Sequence, residues 1–185
     1  MSFRPLPQIT PTTTDQIEIC KWIRAASFVA SGDPLQEEFD EHDRQSSTHL
    51  IATAGNDAVG TMRVRFLCMS PSGGETFLER FAVLPAARGS LRVLNALAAA
   101  ALQYSRFKGV TRVSGAVSDM RLQMFWRRRG YRFLDRPPEV YNGVEYYLMS
   151  QTFPVARRPP EWFGGAALFR SESEQFEVFR KGQGS

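Results

Sequence analysis

The sequence predicts an α/β fold, and three observations carry that expectation. Two β-like runs, residues 49–54 and 58–66, meet at Gly55-Asn56-Asp57, a hairpin signal. The β-like run 76–84 leads at once into a turn containing Pro85 and Arg88-Gly89, and then into an Ala- and Leu-rich stretch from Leu91 to Phe107 that reads as a long helix. Strand-like and helix-like segments go on alternating as far as Phe153. At 185 residues and 43% hydrophobic, the chain suffices for one domain with one sizeable core.

Residues 1–12 are rich in Pro and Thr and read as an extended arm. Thr14 or Asp15 is placed to cap a helix running to about Ala30, in which Ile17, Cys20, Trp22, Ile23, Ala26 and Phe28 recur at helical spacing. Ser31-Gly32-Asp33-Pro34 ends it, and residues 36–48 have no sustained period, so they read as a long loop with room for a helical turn. After the hairpin comes a turn at Ser70-Pro71-Ser72-Gly73-Gly74, then the third strand; Ser90 caps the long helix and Gly109 stops it. A fourth strand over 110–117, a short helix over 120–129 ended by Gly130, and closing strands over 131–134 and 144–153 complete a domain spanning 13–153. The tail, 154–185, holds Arg157-Arg158-Pro159-Pro160, Trp162, Phe163, Phe169, Phe176 and Phe179, an aromatic content that calls for packing on the domain or on a second subunit, as in a homodimer.

No window approaches the roughly 20 apolar residues a membrane span requires. The opening MSFRPLPQITPTTT lacks the apolar core of a signal peptide, so a cytoplasmic location is expected. Cys20 and Cys68 each fall inside an expected regular element and read as core thiols, with no disulfide framework and no Cys-based zinc site. His42 and His49 complete no catalytic constellation, and no metal is expected. The 23 basic against 19 acidic side chains give +4, and Arg121, Arg127, Arg128, Arg129, Arg132 and Arg136 cluster late. Such a patch either attracts anions or forms a solvated helix face. Nucleic acid is disfavoured, because no recognised motif is present and aromatics do not interleave with those arginines.

The most informative segment is Glu79-Arg80-Phe81-Ala82-Val83-Leu84-Pro85-Ala86-Ala87-Arg88-Gly89-Ser90. A strand, a basic-Gly turn and a helix in that order turn backbone N–H groups outward at the positive end of the helix, where a pyrophosphate can be held. Strand alternation puts Glu75, Phe77, Glu79 and Phe81 on one face.

Residues 81–90, with the later Phe125-Trp126-Arg127-Arg128-Arg129-Gly130-Tyr131, resemble the GNAT acyltransferase superfamily. Its members order a hairpin, a strand ending apolar-x-Val-x-Pro, an Arg-Gly turn, a long helix, a fourth strand and a short helix ending aromatic-x3-Gly-aromatic; the likeness covers about residues 15–150. It implies a mixed, mostly antiparallel central sheet flanked by helices, with splayed strands forming a cleft for an acyl thioester. It further implies that the backbone of Phe81, Ala82 and Val83 lines the thioester and pantetheine arm. Arg88, Gly89, Ser90, Leu91, Arg92 and Val93 would face the pyrophosphate of acetyl-CoA or a longer acyl-CoA. Two departures stand out. The family's glycines after Arg-Gly fall on Leu91 and Val93, and the tyrosine that often protonates the departing thiolate is Trp126, whose indole is a donor only and essentially non-acidic.

A narrower resemblance is to the autoinducer synthases and the related N-acyl amino acid synthases, which share that fold and use acyl carrier protein donors. Arg24 and Phe28 match their Arg-x3-Phe, Asp40 and Asp43 their Asp-x2-Asp, Gly60 and Arg63 their Gly-x2-Arg, and Arg80 and Phe81 their Arg-Phe. The likeness marks Arg24, Phe28, Asp40, Asp43, Arg63 and Arg80 as substrate-side candidates and an acyl-phosphopantetheine on acyl carrier protein as an alternative donor. The tryptophan that autoinducer synthases carry soon after that Phe is absent, and their glutamate before the strand Arg is Phe77. A homoserine lactone product is therefore not expected, while an acyl group longer than acetyl stays open.

The implied reaction is N-acyl transfer, with a small-molecule amine attacking the thioester directly and a backbone N–H near residues 81–83 holding the oxyanion. No cysteine lies there to form an acyl-enzyme. Glu79 is the candidate base; the alternative is that it pairs with Arg63 or Arg24, themselves candidates for buried ion pairs. Asp40 and Asp43 either grip a cationic acceptor or form a solvated acidic loop, and His49 is either structural or faces the cleft. A non-catalytic module that binds acyl-CoA or acyl carrier protein is the competing function, which Trp126 and the replaced glycines permit.

Overall fold

The computed structural model describes residues 7–12, 16–28, 40–43, 46–70, 72–88, 91–154, 176–177 and 179–181. Its strands are β1 (Gln8–Pro11), β2 (Ser47–Ala54), β3 (Asp57–Ser70), β4 (Gly73–Val83), β5 (Arg112–Val117), β6 (Arg132–Phe133), β7 (Glu139–Tyr141) and β8 (Val144–Thr152). The helices are α1 (Ile17–Ser27), α2 (Leu91–Phe107) and α3 (Met120–Arg127). One sheet runs β1-β2-β3-β4-β5-β8-β6, with β7 paired to the start of β8. β4 with β5 is the parallel pair, and the other pairs are antiparallel. This is a mixed α/β fold with a mostly antiparallel sheet flanked by helices.

Helix α2 packs on one face of the sheet because Val93, Leu94, Leu97, Ala98, Ala101 and Tyr104 recur every three or four residues and are all buried. They meet Leu50, Met62, Val64, Leu78 and Val113 in the core cluster. Gly60 is what lets α2 lie so close: a Cβ there would stand 2.9 Å from Val93 Cγ1 and 3.1 Å from the Ala82 carbonyl. Two polar pairs are satisfied within this layer, Thr48 Oγ1 with the Tyr104 hydroxyl at 2.9 Å and Thr76 Oγ1 with Ser105 Oγ at 3.1 Å. Phe176, from the tail, is fully buried, with its ring centroid 5.5 Å from Tyr104 and 5.7 Å from Phe107. Trp162, Phe163, Phe169 and the Arg157-Arg158-Pro159-Pro160 run lie outside the described residues.

Helix α1 covers the opposite face and buries Cys20, Ile23, Arg24 and Ser27, one helical stripe. Its first turn departs from the expected cap. Gln16 stands at the N-cap with no side-chain cap bond, and Thr14 and Asp15 lie outside the described residues. Trp22, counted with the apolar face, is 60% exposed, because it falls between the buried positions of the stripe. Of the two cysteines only Cys20 is a core thiol, its pKa pushed up by burial. Cys68 is exposed, toward the end of β3 where the strand runs past its covering. Residues 8–11 of the N-terminal arm form β1, paired with β2 from Gln8↔Thr53 to Pro11↔Leu50, where Pro at an edge strand costs no ladder bond on the solvent side.

Candidate active site

The parallel ladder between β4 and β5 runs from Glu75↔Arg112 to Leu78↔Gly115 and stops there. Both strands continue, β4 held by β3 as far as Gly60↔Val83 and β5 held by β8 as far as Val117↔Tyr147, so the sheet is split between them. The cause is visible in the register. Glu79 pairs with Arg63 and Ala82 with Thr61, which sets two residues of β4, Arg80 and Phe81, against the single Met62 of β3. Arg80 takes the extra residue's place in a left-handed conformation, φ 52°, and a bulge of this kind bends its strand. Leu84 N–H is committed to Val59 O at 2.9 Å. By strand alternation the amides of Val83 and Phe81 point to the other edge, into the split.

A cavity of about 320 Å³ fills the split. Cross-strand partners share a face, so the registers sort its lining. On the α1 side stand Phe28, Glu79, Ala116, Tyr141, Val144 and Tyr146; on the side of α2 and α3 stand Met62, Leu78, Val117, Leu122, Trp126 and Met149. The hairpin of β7 and β8 closes the α1 side through an Asn142-Gly143 turn, both residues with positive φ (48° and 75°). Trp126 is buried, held edge-on by Phe125 and Tyr131 at centroid distances of 5.1 and 5.0 Å. Asp119 caps α3, accepting from Arg121 N–H at 2.6 Å, and so fixes the helix that carries Leu122 and Trp126.

Beside the cavity lies a buried ionic cluster. Arg63, 1% exposed, donates to Asp40 Oδ1 and Oδ2 (2.6 and 2.9 Å), to Asp43 Oδ1 (2.8 Å) and through Nε to Glu79 Oε1 (2.9 Å). Arg24, fully buried, donates to Asp43 Oδ1 at 2.5 Å. Arg65 Nε also lies 2.9 Å from Glu79 Oε1, and Arg80 reaches Asp40 at 3.4 Å. The cluster ties α1, β3 and β4 to the turn Glu41–Asp43. Burial by itself would raise the Asp40 pKa, but the hydrogen bonds and charges of Arg63 and Arg80 bring it down from 3.8 to about 2.

His49 belongs to this cluster and does not face the cavity. It is 1% exposed, and its Nε2 donates to the Asp43 carbonyl at 3.1 Å, which leaves Nδ1 buried with no partner among the described residues. Burial, helped by the nearby charges of Arg24 and Arg63, pushes its pKa below the ordinary 6.5 against the pull of Asp43. With the folded value depressed, the unfolded chain binds the extra proton, so the stability is full above about pH 6.5 and is lost as the pH falls below it. The share due to Asp40 goes lower down, between 3.8 and about 2. The melting temperature is therefore expected to drop between roughly pH 7.5 and 5.5, and His49→Gln, whose amide keeps the donor without titrating, to flatten that window. Identical wild-type melts at the two ends of the window would contradict this account.

The remaining candidates fall in different places. Asp43, 2% exposed, is closed off from any acceptor, whereas Asp40 keeps some exposure. Glu79, Arg80, Phe81, Phe28 and Trp126 line the cavity. Arg88 is spent on backbone, donating to Val83 O at 3.0 Å and to Ser27 O at 3.2 Å, and so clamps the end of α1 to the end of β4. Val93, expected at the pyrophosphate, turns its side chain into the core against Gly60; Leu91, 65% exposed, and Arg92 remain at the surface of the helix start. Gly89 and Ser90 lie outside the described residues. In the arginine cluster, Arg121 and Arg136 pair with Asp119 and Glu139, while Arg127 and Arg129 stack over Phe133 and Phe125. Sequence reading missed Tyr141, Tyr146, Leu122 and Met149; an Asn-Gly pair at 142–143 was the available signal for the first two.

The split sheet beside the bulged β4 is the kind of cleft that the resemblance to the GNAT superfamily implies. The Acetyltransferase (GNAT) family model matches residues 17–131, more than half of the chain, and the chain belongs to that family. Solved structures agree on the fold. An acyl-CoA N-acyltransferase from Pseudomonas aeruginosa superposes with a TM-score of 0.66 at 18% identity, over 79% of this chain and 99% of that one. FeeM, an N-acyl amino acid synthase from uncultured soil microbes, gives 0.63 at 11%, over 79% and 90%. A GNAT family acetyltransferase from Elizabethkingia anophelis, solved with acetyl-CoA bound, gives 0.61 at 16%, over 80% and 99%. No curated protein matches the chain by sequence. No helix among the described residues is long and apolar enough to cross a membrane.

Proposed function

We propose that the protein transfers an acyl group from a CoA or carrier-protein thioester to an amine by direct attack. The observation that carries this reading is the split beyond Leu78↔Gly115, with Phe81 and Glu79 of β4 lining a cavity that residues of both sheet faces enclose. The thioester enters from the side of α2 and α3, its anionic handle near the α2 N-terminus and Arg92, and the amine from the α1 side. The amine nitrogen attacks the carbonyl carbon, the Phe81 and Val83 amides hold the oxyanion, Glu79 accepts the proton, and the C–S bond then breaks to release thiolate. Trp126 cannot supply the thiolate's proton, so that role passes to solvent or to another residue.

A second reading, a non-catalytic acyl-thioester-binding module, is favoured by Trp126 and by the engagement of Glu79 Oε1 with both Arg63 and Arg65. The two part company in one experiment: free thiol is followed with acetyl-CoA and with octanoyl-CoA against a panel of amines and amino acids, alongside donor binding by calorimetry. Amine-dependent thiol release is expected. Binding without release for every acceptor would establish the module instead.

A further inference from the structure

His49 is a buried group that the reaction above leaves without a task. It stands in β2 across from Arg63 of β3, and the two share the sheet face that α1 covers. Its Nε2 donates to the Asp43 carbonyl at 3.1 Å and lies 3.7 Å from Asp43 Oδ1. Asp43 N–H closes the turn on Asp40 O at 3.1 Å. Arg63 then spans the gap between that turn and β4, holding Asp40 twice, Asp43 once and, through Nε, Glu79 Oε1. A relay of three contacts results: His49 to Asp43, Asp43 to Arg63, Arg63 to Glu79. None of the motif matches in the sequence includes His49.

The closed arrangement has no place for a second proton on the ring. With Nε2–H donating, Nδ1 is a bare acceptor, buried and without a partner among the described residues. A proton there would create an unsatisfied buried donor and set a third cation around Asp43, beside Arg24 of α1 and Arg63 of β3. The carboxylates that answer them are Asp43, Asp40 and Glu79, and Cys20, the titratable neighbour on α1, is an uncharged thiol. The three-residue turn Glu41–Asp43 is the part free to yield, because β2 and β3 are tied to each other along their ladder. We infer that His49 is a positioning residue for the acylation: neutral, it holds Glu79 in place through Asp43 and Arg63, and on taking up a proton it lets the turn go. This rests on the acyl-transfer reading above, in which Glu79 is the base. The reaction then has an acid limit set by a residue that never touches the amine. Burial and the two guanidiniums hold the closed ring below its ordinary 6.5, so the opened form binds the proton first; the closed form is full above about pH 6.5 and gives way below it.

The test is the pH dependence of acyl transfer by the full chain and by His49→Gln, with acetyl-CoA and an amine found active in the panel above. It is read as the ratio of the two kcat/KM values at each pH, so that ionisation of the amine cancels. One proton changes such a ratio by at most about tenfold for each pH unit. The ratio of wild type to variant is expected to be constant from about pH 7 to 8 and to fall by about threefold or more on going to about pH 5, while the two proteins bind acetyl-CoA alike at every pH. A flat ratio, or a variant impaired equally at all pH values as a merely structural role would have it, overturns the assignment. If no amine is turned over, the acyl-transfer reading falls by itself, and the linkage is then read without turnover, as it also is if the variant does not fold. In wild-type protein carrying carboxyl-labelled glutamate, the Glu79 resonance, identified by its loss in Glu79→Gln, is expected to shift in step with protonation of the His49 ring. A Glu79 signal indifferent to that protonation overturns the relay.

Discussion

Arg63→Met is expected to lower the unfolding free energy by about 3–5 kcal/mol, the usual cost of taking one partner out of a buried ion pair. The guanidinium is 1% exposed and donates four hydrogen bonds, to Asp40, Asp43 and Glu79. Methionine fills much of the same volume, so cavity formation contributes little and the loss is mainly electrostatic. Asp43, 2% exposed, would keep Arg24 but lose half of its compensating charge, and Asp40 would keep its longer 3.4 Å contact with Arg80. Arg63→Lys restores the charge but not the fork that spans both Asp40 oxygens, so it should recover part of the loss. Chemical denaturation at pH 7 checks both variants. A loss below about 1 kcal/mol for Arg63→Met, the range of surface ion pairs, would mean that water reaches the cluster.

Much of this architecture is legible in the sequence because it is local. The Gly55-Asn56-Asp57 turn, the run from Leu91 to Phe107 and the alternation along β4 are each set by neighbours within a few residues, and α2 begins and ends where its pattern does. What was hidden depends on distance. β7 is exposed at all three residues and has no inside and outside to alternate, so only its Asn142-Gly143 turn announces it. Residues 8–11 read as an arm because Pro and Thr mask a strand whose stability comes from β2. Of the ionic cluster, the sequence offers the Glu79–Arg63 pair and Arg24 and Arg63 as buried cations, but not their common partner Asp43: it lies 19 and 20 residues from them, and nothing in the spacing of charges distinguishes a buried carboxylate from a solvated one. The bulge at Arg80 likewise has no composition of its own. It is a mismatch of two residues against one, known only once β3 and β4 are paired, and the split that makes the cavity follows from it.

Glu79→Gln is expected to lower kcat by about 10²-fold or more, the range for removal of a general base, with donor affinity nearly unchanged. The side chain occupies a position that separates a catalytic from a structural role, because its two ion pairs both run through Oε1 among the described residues, while the residue itself lines the α1 side of the cavity where the amine enters. Glutamine preserves the volume and an acceptor oxygen for Arg63 or Arg65, yet it cannot take up the proton that the attacking amine must lose. A structural effect would instead act through Arg63: it would lower the melting temperature and weaken donor binding together with turnover. Arg65→Leu serves as the comparison, since it removes one ion pair of Glu79 without removing the carboxylate, and it should leave most of the turnover in place. Equal losses of kcat and donor affinity in Glu79→Gln, or no loss of either, would return Glu79 to the ion-pair cluster and leave proton removal to solvent or to an amine that arrives neutral.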